Sequence, residues 1–424
     1  MTSKTFCVLP WLHAATLTDG SVQLCCVSAD GSGFNLNQQT LADYWNSEYV
    51  RDTRRRMLAG EPVKACKRCY DEEAHGYRSH RLVENEAWQA RCGRDTITSL
   101  VEQTGPDGSL AAGLQYIDLR LGNTCNMTCI MCQPRESSRW VPAARKLSTL
   151  VRDNQLKHEW RFKSLIEARR FEWYRNAAFW ENLKSFLPHV KEIILAGGEP
   201  FLIKEQFDFV KTCCEIGEAH HIRLRYHTNG TVFPKEMIGY WEQFERVHFM
   251  VSLDGIGEAA NYVRYPTNWK ELENNIRCFD GLGKNSLTSF NFTTHALNAY
   301  RIPEVLDWAD NSGLTNRRWF PHMQGFVAVS LVQDPSYQTI CVLPPDCKQL
   351  ISERISGYIR ERLAGEDVTN LHAMLAFMNS QDDSEKMPRL VEYTRILDRT
   401  RGTDFSRTFP ELAPYWTRYE KIGG

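Results

Sequence analysis

Two patterns of hydrophobic and polar positions follow one another along this chain. From about residue 114, short apolar runs typical of buried strands recur between longer segments whose apolar residues fall every three or four positions, as in helices. The clearest helical segments cover 201–220 and 269–282. The predicted strands cover 114–121, 190–197, 222–228, 246–253 and 287–297, with 317–323 as a weaker sixth candidate.

Strands that alternate with helices predict an α/β fold, because parallel strands are joined by crossover connections. Five or six such units predict a partial (β/α)6 barrel of the TIM type, in which the loops after the strands carry the chemistry. We place this barrel at 110–330. Residues 133–189 are predicted to be a helical insertion after its first strand, and 331–424 a helical C-terminal extension.

Composition narrows the class of protein. The chain has 424 residues, which favours more than one domain, and a formal net charge of -1, which gives no sign of a nucleic-acid partner. No apolar run is long enough to span a bilayer, and the first 20 residues lack the apolar core of a signal peptide. We therefore expect a cytoplasmic protein in which the 14 cysteines do not form disulfides, which favours metal or redox roles for some of them.

Three cysteines form a tight group directly after the first predicted strand. The segment LGNTCNMTCIMCQP spaces Cys125, Cys129 and Cys132 as C-x-x-x-C-x-x-C. Three thiolates can ligate three irons of one [4Fe–4S] cluster, which leaves the fourth iron open to another ligand. A zinc loop is the alternative on the residues alone, although a structural zinc site normally takes four protein ligands.

A second set of cysteines lies near the N-terminus. Cys7 and Cys25 flank an Asp-Gly pair at 19–20 that predicts a hairpin, and Cys66 and Cys69 form a C-x-x-C. Together they make a full four-ligand set. Spacing alone leaves a structural zinc site and an iron–sulfur cluster equally open.

The three-cysteine loop resembles the signature of the radical S-adenosylmethionine (SAM) superfamily. The segments LAGGEP, YHTNGT, VSLDG and NYVRYP resemble further motifs of that family and occur in the same order. The resemblance implies that these motifs bind SAM around the open iron. Their candidate cofactor-binding residues are Gly197, Gly198 and Glu199 for the methionyl amino group, Asn229 in the third-strand motif, Ser252 and Asp254 near the ribose, and Arg264 towards the carboxylate.

The N-terminal segment, 1–90, resembles the twitch module, a shortened form of the SPASM domain. The resemblance implies one auxiliary [4Fe–4S] cluster on Cys7, Cys25, Cys66 and Cys69. In familiar members this module follows the barrel, whereas here it precedes it. Cys26 is an adjacent candidate ligand, but the spacing from the glycine of the hairpin favours Cys25.

The resemblance also implies an activity. A radical SAM enzyme cleaves SAM reductively to a 5′-deoxyadenosyl radical, which abstracts hydrogen from a substrate C–H bond. We expect oxidation, crosslinking or epimerisation of a peptide, with a reducing partner such as flavodoxin or ferredoxin. One alternative is a radical dehydrogenase or isomerase of an aminocyclitol, sugar or nucleotide, and another is a non-catalytic zinc-binding scaffold. No residue beyond the clusters and the SAM site receives a catalytic role.

Overall fold

The structure is a computed structural model that describes residues 4–29, 32–74, 78–166, 170–316 and 327–420. Ten strands occur in this part of the chain. They are β1 His13–Thr16, β2 Val22–Gln23, β3 Tyr116–Leu121, β4 Thr128–Cys129, β5 Glu192–Gly197, β6 Arg223–Thr228, β7 Arg246–Ser252, β8 Arg264–Tyr265, β9 Ser286–Thr294 and β10 Val327–Leu331.

The described residues also form eighteen α-helices. They are α1 Leu41–Trp45, α2 Glu48–Leu58, α3 Lys67–Ala74, α4 His80–Cys92, α5 Arg94–Glu102, α6 Trp140–Leu150, α7 Asn154–Ile166, α8 Ala177–Lys184, α9 Lys204–Glu215, α10 Ile238–Trp241, α11 Gly257–Val263, α12 Trp269–Asp280, α13 Ile302–Asn311, α14 Pro345–Arg362, α15 Thr369–Asn379, α16 Met387–Arg401, α17 Phe405–Thr408 and α18 Ala413–Glu420. None of these helices is both long enough and apolar enough to cross a membrane.

The chain divides into two compact units. The first unit comprises Met1–Thr124, Arg170–Tyr226 and Glu236–Val247, and the second comprises Cys125–Arg169, His227–Lys235 and His248–Gly424. The strands of the first unit lie in the order β6-β5-β3-β1-β2. All are parallel except β2, which returns antiparallel beside β1.

Burial explains the strands of the first unit. Every residue of β3 except Arg120, and every residue of β5 except Gly197, is buried, as expected for parallel strands covered on both faces. The predicted hairpin is confirmed: β1 pairs with β2, and Gly20 takes a left-handed conformation in the turn, with φ of 87°. The sequence did not predict that β1 also pairs in parallel with β3, which makes the N-terminal segment part of the same sheet.

In the second unit the strands lie in the order β7-β9-β10, with β9 and β10 parallel, and β4 pairs antiparallel with β8 in a separate ribbon. Helices α11–α18 and the inserted helices α6 and α7 complete this unit. The long helix α16 ends at Gly402, whose φ of 71° suits only glycine without strain.

The α/β fold class with parallel strands, an N-terminal module and a helical C-terminal region is confirmed. The five principal predicted strands correspond to β3, β5, β6, β7 and β9, and the predicted helices 201–220 and 269–282 contain α9 and α12. The weaker candidate at 317–323 lies outside the described residues, and β10 begins just after it. The predicted domain boundaries stay a prediction.

Candidate functional site

Four thiols of the first unit line one cavity. Cys7 precedes a short 3-10 helix, Cys25 follows β2, Cys66 ends another 3-10 helix, and Cys69 lies in the first turn of α3. The cavity has an empty volume of about 300 Å³, and Arg81 at the start of α4 also lines it. Cys26 does not line this cavity. The four N-terminal thiols predicted from spacing are therefore brought together.

Each of these four sulfurs lies near a donor group that favours its thiolate form. Two of these donor groups lie at the start of α4, one on its backbone and one on its N-cap serine, and both are beside Cys69. These groups are the backbone N–H of Leu9 beside Cys7, the backbone N–H of Val27 beside Cys25, the Tyr70 hydroxyl beside Cys66, and the Arg81 backbone N–H and Ser79 hydroxyl beside Cys69. Hydrogen bonds to sulfur stabilise the thiolate form, which is the form that ligates iron.

Burial raises the pKa of all four thiols, and their mutual repulsion as thiolates raises it further at Cys7, Cys25 and Cys66. The pKa of Cys66, for example, is about 11. These thiols are therefore protonated at neutral pH until a cation binds among them. Loading a metal centre would release their protons, as it does at other thiolate sites.

Cys26 has a different environment from Cys25. Its Sγ lies 3.7 Å from Nε2 of His80, whose Nδ1 is 3.9 Å from a carboxylate oxygen of Glu84 one helical turn later. Burial alone would lower the pKa of His80, but its interactions with Cys26 and with the Glu84 carboxylate outweigh this effect and raise that pKa to about 9. The two adjacent cysteines thus have separate partners.

The three-cysteine loop belongs almost entirely to the second unit. Cys129 lies in β4, which pairs with β8 so that Cys129 is opposite Arg264. The Arg264 guanidinium is 3.7 Å from Sγ of Cys129, and the Asn229 side-chain amide is 3.9 Å from Sγ of Cys125. Two of the predicted cofactor-binding residues therefore contact two of the predicted cluster ligands.

Cys129 and Cys132 shift each other's pKa. A hydrogen bond between the two thiols lowers the pKa of Cys129 and raises that of Cys132, and the positive charge of Arg264 also favours the Cys129 thiolate. The neighbours of Cys129 thus favour its thiolate form.

Arg264 is held by a buried carboxylate. Its Nε lies 2.5 Å from Oδ2 of Asp254, which is 1% exposed, and Oδ1 of Asp254 accepts the backbone N–H of Thr293 at 2.6 Å. Burial raises the pKa of Asp254 although Arg264 opposes this shift. Ser252, the remaining candidate of this segment, ends β7 two residues earlier.

The Gly-Gly-Glu candidates lie in the first unit, at the end of β5. A Cβ on Gly197 would come within 2.6 Å of the Leu121 backbone nitrogen, and one on Gly198 within 2.2 Å of the Thr124 carbonyl oxygen. Neighbouring backbone atoms therefore leave no room for a side chain at either glycine. Glu199 is fully buried, and its side chain accepts the Phe201 N–H at 3.1 Å.

Sequence reasoning missed several residues around the N-terminal thiols. Tyr70, Ser79, His80 and Arg81 all lie next to cysteines of this module, yet none belongs to a cysteine motif. One signal was available: a serine before an apolar helical segment marks a helix start, and a helix N-terminus presents backbone N–H groups to anions. It would have identified 79–81 as a source of donors.

Comparison with known protein families finds a match for the region of the three-cysteine loop and another for the N-terminal region. Residues 119–309 match the radical SAM superfamily, and residues 7–70 match SPASM, an iron–sulfur cluster-binding domain. The chain therefore carries a radical SAM domain and a SPASM-type domain. The SPASM-type domain comes first in the chain, before the radical SAM domain.

Solved structures give weaker similarities. SuiB from Streptococcus suis bound to the precursor peptide SuiA is 13% identical, with a TM-score of 0.35 over 70% of this chain and 60% of that one. Native anSMEcpe with bound AdoMet is 15% identical, with a TM-score of 0.39 over 57% of this chain and 60% of that one. The chain thus spans about 60% of the length of these structures. No curated protein matches the chain.

The residues present fit the groups that these domains imply. The SPASM-type domain offers four thiols around one cavity, each with a hydrogen-bond donor, which is the ligand set of a [4Fe–4S] cluster. The radical SAM domain offers three thiols, so one iron of its cluster would stay open for SAM. Within the described ranges, no three His, Cys, Asp or Glu side chains are arranged to hold a single metal ion.

Proposed function

We propose that this radical SAM enzyme holds its SAM-binding [4Fe–4S] cluster on Cys125, Cys129 and Cys132 and abstracts hydrogen from a C–H bond of a peptide. The observation that carries the proposal is the contact of Asn229 and Arg264 with two of these three sulfurs. The reduced cluster and SAM would supply a 5′-deoxyadenosyl radical. The protein supplies the ligands, their charge balance and their orientation.

Each candidate SAM-binding residue has a role in this proposal. Arg264, fixed by Asp254, keeps a positive charge beside Cys129, and Asn229 orients the loop at Cys125 through its amide. Asn229 is itself held by Asn126, whose Oδ1 accepts the same amide at 2.8 Å. Glu199 would accept the ammonium group of SAM, and Ser252 would lie near its ribose. Gly197 and Gly198 pack closely against neighbouring backbone, which supports a fixed position for Glu199 directly after them.

We further propose that Cys7, Cys25, Cys66 and Cys69 hold an auxiliary [4Fe–4S] cluster. Four protein thiolates leave no iron open to substrate, so this cluster would transfer electrons during a net oxidation. The domains follow as 1–90 for the SPASM-type module, 110–330 for the barrel and 331–424 for the extension. Iron–sulfur chemistry of this kind and a flavodoxin or ferredoxin as reductant suit the cytoplasm.

Iron and sulfide counts test the ligand assignments. Anaerobic reconstitution should give about eight irons per chain, as two [4Fe–4S] clusters require. Cys129→Ala and Cys25→Ala should each reduce the count to about four, whereas Cys26→Ala, the matched neighbour, should leave it at eight. About four irons in the unaltered protein, or no loss in Cys25→Ala, would contradict the auxiliary cluster.

Isotope transfer tests the substrate class. Peptides encoded beside the gene, prepared with deuterium on carbon, should pass deuterium to 5′-deoxyadenosine, which mass spectrometry detects. Deuterium arriving instead from an aminocyclitol, a sugar or a nucleotide would contradict the peptide assignment and support the small-molecule alternative.

A further inference from the structure

The backbone of the three-cysteine loop is held from outside the loop. Four consecutive carbonyl oxygens, those of residues 127–130, accept hydrogen bonds from side chains outside the loop. The donors are Ser137 to Met127 at 2.6 Å, Arg401 to Thr128 at 2.5 Å, Trp140 to Cys129 at 2.9 Å, and both Gln338 and Tyr393 to Ile130 at 2.8 and 2.9 Å. The inserted segment and the C-terminal extension therefore fix the loop together.

Arg401, the last residue of α16, differs from the other donors because it carries a charge. Its guanidinium lies over the Trp140 ring at 5.2 Å and over the Tyr265 ring at 5.1 Å. Its Nη1 is buried and makes no hydrogen bond. No carboxylate in the described part of the chain lies within ion-pair distance of it.

A cation in this position needs a compensating charge. Burial lowers the pKa of Arg401, whereas the negative charge of the Cys129 thiolate opposes that shift. A guanidinium removed from water without an anionic partner is costly, and two aromatic faces offset only part of that cost. Arg264, in contrast, is already balanced by Asp254 at 2.5 Å. The Cys129 thiolate can supply the compensating charge for Arg401.

We propose that Arg401 is a positioning residue of the three-cysteine loop, and that its charge balances the thiolates and raises the reduction potential of the cluster they hold. This inference rests on the proposed function of Cys125, Cys129 and Cys132. Arg401 acts on the cluster from the side of the loop backbone, through the Thr128 carbonyl and through its charge. The C-terminal extension thereby tunes a site whose ligands lie some 270 residues earlier.

A potentiometric titration followed by electron paramagnetic resonance tests this role in the full-length holoenzyme. The signal that changes on SAM addition reports the relevant cluster. Arg401→Gln removes the charge but keeps a donor for Thr128, and Arg401→Lys keeps the charge. Arg399→Met is the matched control, because Arg399 is an exposed arginine in the last turn of the same helix.

We expect Arg401→Gln to lower the ratio of reduced to oxidised cluster about tenfold at a fixed potential, equivalent to a midpoint about 59 mV more negative for one electron. Arg401→Lys and Arg399→Met should stay close to the unaltered protein. If Arg401→Gln does not fold, Arg401→Met provides the neutral variant. The inference would be overturned if the neutral variant and Arg399→Met had the same midpoint potential. It would also be overturned if Arg401→Lys lowered the midpoint potential as much as the neutral variant does. A missing SAM-sensitive signal in the unaltered protein would instead overturn the proposed function.

Discussion

At the scale of single residues, the ion pair between Asp254 and Arg264 decides the charge beside Cys129. The Asp254 side chain is closed to solvent, and the Arg264 side chain is 11% exposed. Removal of one partner leaves the other buried and uncompensated, which typically costs about 3–5 kcal/mol. Arg264→Met should therefore destabilise the protein by roughly that amount, as measured by the free energy of unfolding in denaturant.

The double variant supplies the control for this prediction. Asp254→Asn with Arg264→Met removes both charges, so its destabilisation should be smaller than the sum of the two single losses. Strict additivity of the two losses would mean that the residues do not interact, and it would contradict the ion pair as described.

His295 gives the protein a predictable response to acid. The ring is fully buried, its Nδ1 accepts the Leu297 N–H at 3.2 Å, and burial, with help from the charge of Arg264, lowers its pKa to about 3. The unfolded chain has a histidine pKa of about 6.5 and therefore binds the proton first as the pH falls. This contribution to stability is complete above pH 6.5 or so and is lost progressively down to about pH 3.

We expect His295 to account for a loss of about 2 kcal/mol in the free energy of unfolding between pH 7.5 and pH 5. His295→Asn keeps an acceptor for the Leu297 N–H but cannot titrate. Its stability should depend less steeply on pH over this interval, by the same 2 kcal/mol or so. Identical pH slopes in the two proteins would show that His295 does not stay neutral in the folded state.

At the scale of secondary-structure elements, the end of β5 lies so close to the loop after β3 that Gly198 cannot be replaced by a residue with a side chain unless the backbone moves. A Cβ on Gly198 would meet the Thr124 carbonyl at 2.2 Å, and Thr124 directly precedes Cys125. Gly198→Ala must therefore displace the backbone that leads into the three-cysteine loop. We expect this variant to lose most of the iron bound at that loop on reconstitution.

Gly239 provides the matched control within α10. A Cβ there meets nothing within 4 Å, and the residue is exposed. Gly239→Ala should leave the iron content unchanged and stabilise the protein by about 0.5–1 kcal/mol, since alanine favours a helix. Full iron content in both variants would contradict the role assigned to the glycine contact.

The elements that could be predicted from the sequence are those whose own residues determine them. Strands β3, β5 and β7 are mostly apolar because they are largely buried, and the Asp-Gly turn specifies a hairpin locally. The pairing of β1 with β3 could not be predicted, because it joins residues about 100 positions apart and neither strand encodes its partner.

At the scale of the whole molecule, the same distinction separates ligands from their supports. The seven candidate cluster ligands stand in short motifs, so spacing and family resemblance identified them together. The groups that hold those ligands follow no such spacing. Arg81 and Ser79 lie beside Cys69 at the start of α4, and Arg401 and Tyr393 hydrogen bond to the three-cysteine loop from α16. These contacts exist only in the folded chain.

The C-terminal extension forms part of the core of the second unit. Trp160 stacks on Tyr393 at 5.7 Å, and Trp140 lies 5.2 Å from Trp160, so the inserted helices and α16 share one aromatic core. That core presents Trp140 and Tyr393 to the loop carbonyls. The stability of the three-cysteine loop thus depends on residues from three separate stretches of sequence.

The central claim is that Cys125, Cys129 and Cys132 hold the cluster that cleaves SAM. The most direct test is the formation of 5′-deoxyadenosine when the reconstituted protein is reduced in the presence of SAM. The unaltered protein should form it, and so should Cys278→Ala, which alters an exposed cysteine of α12. Cys129→Ala should form none. Cleavage that continues undiminished in Cys129→Ala would contradict the account.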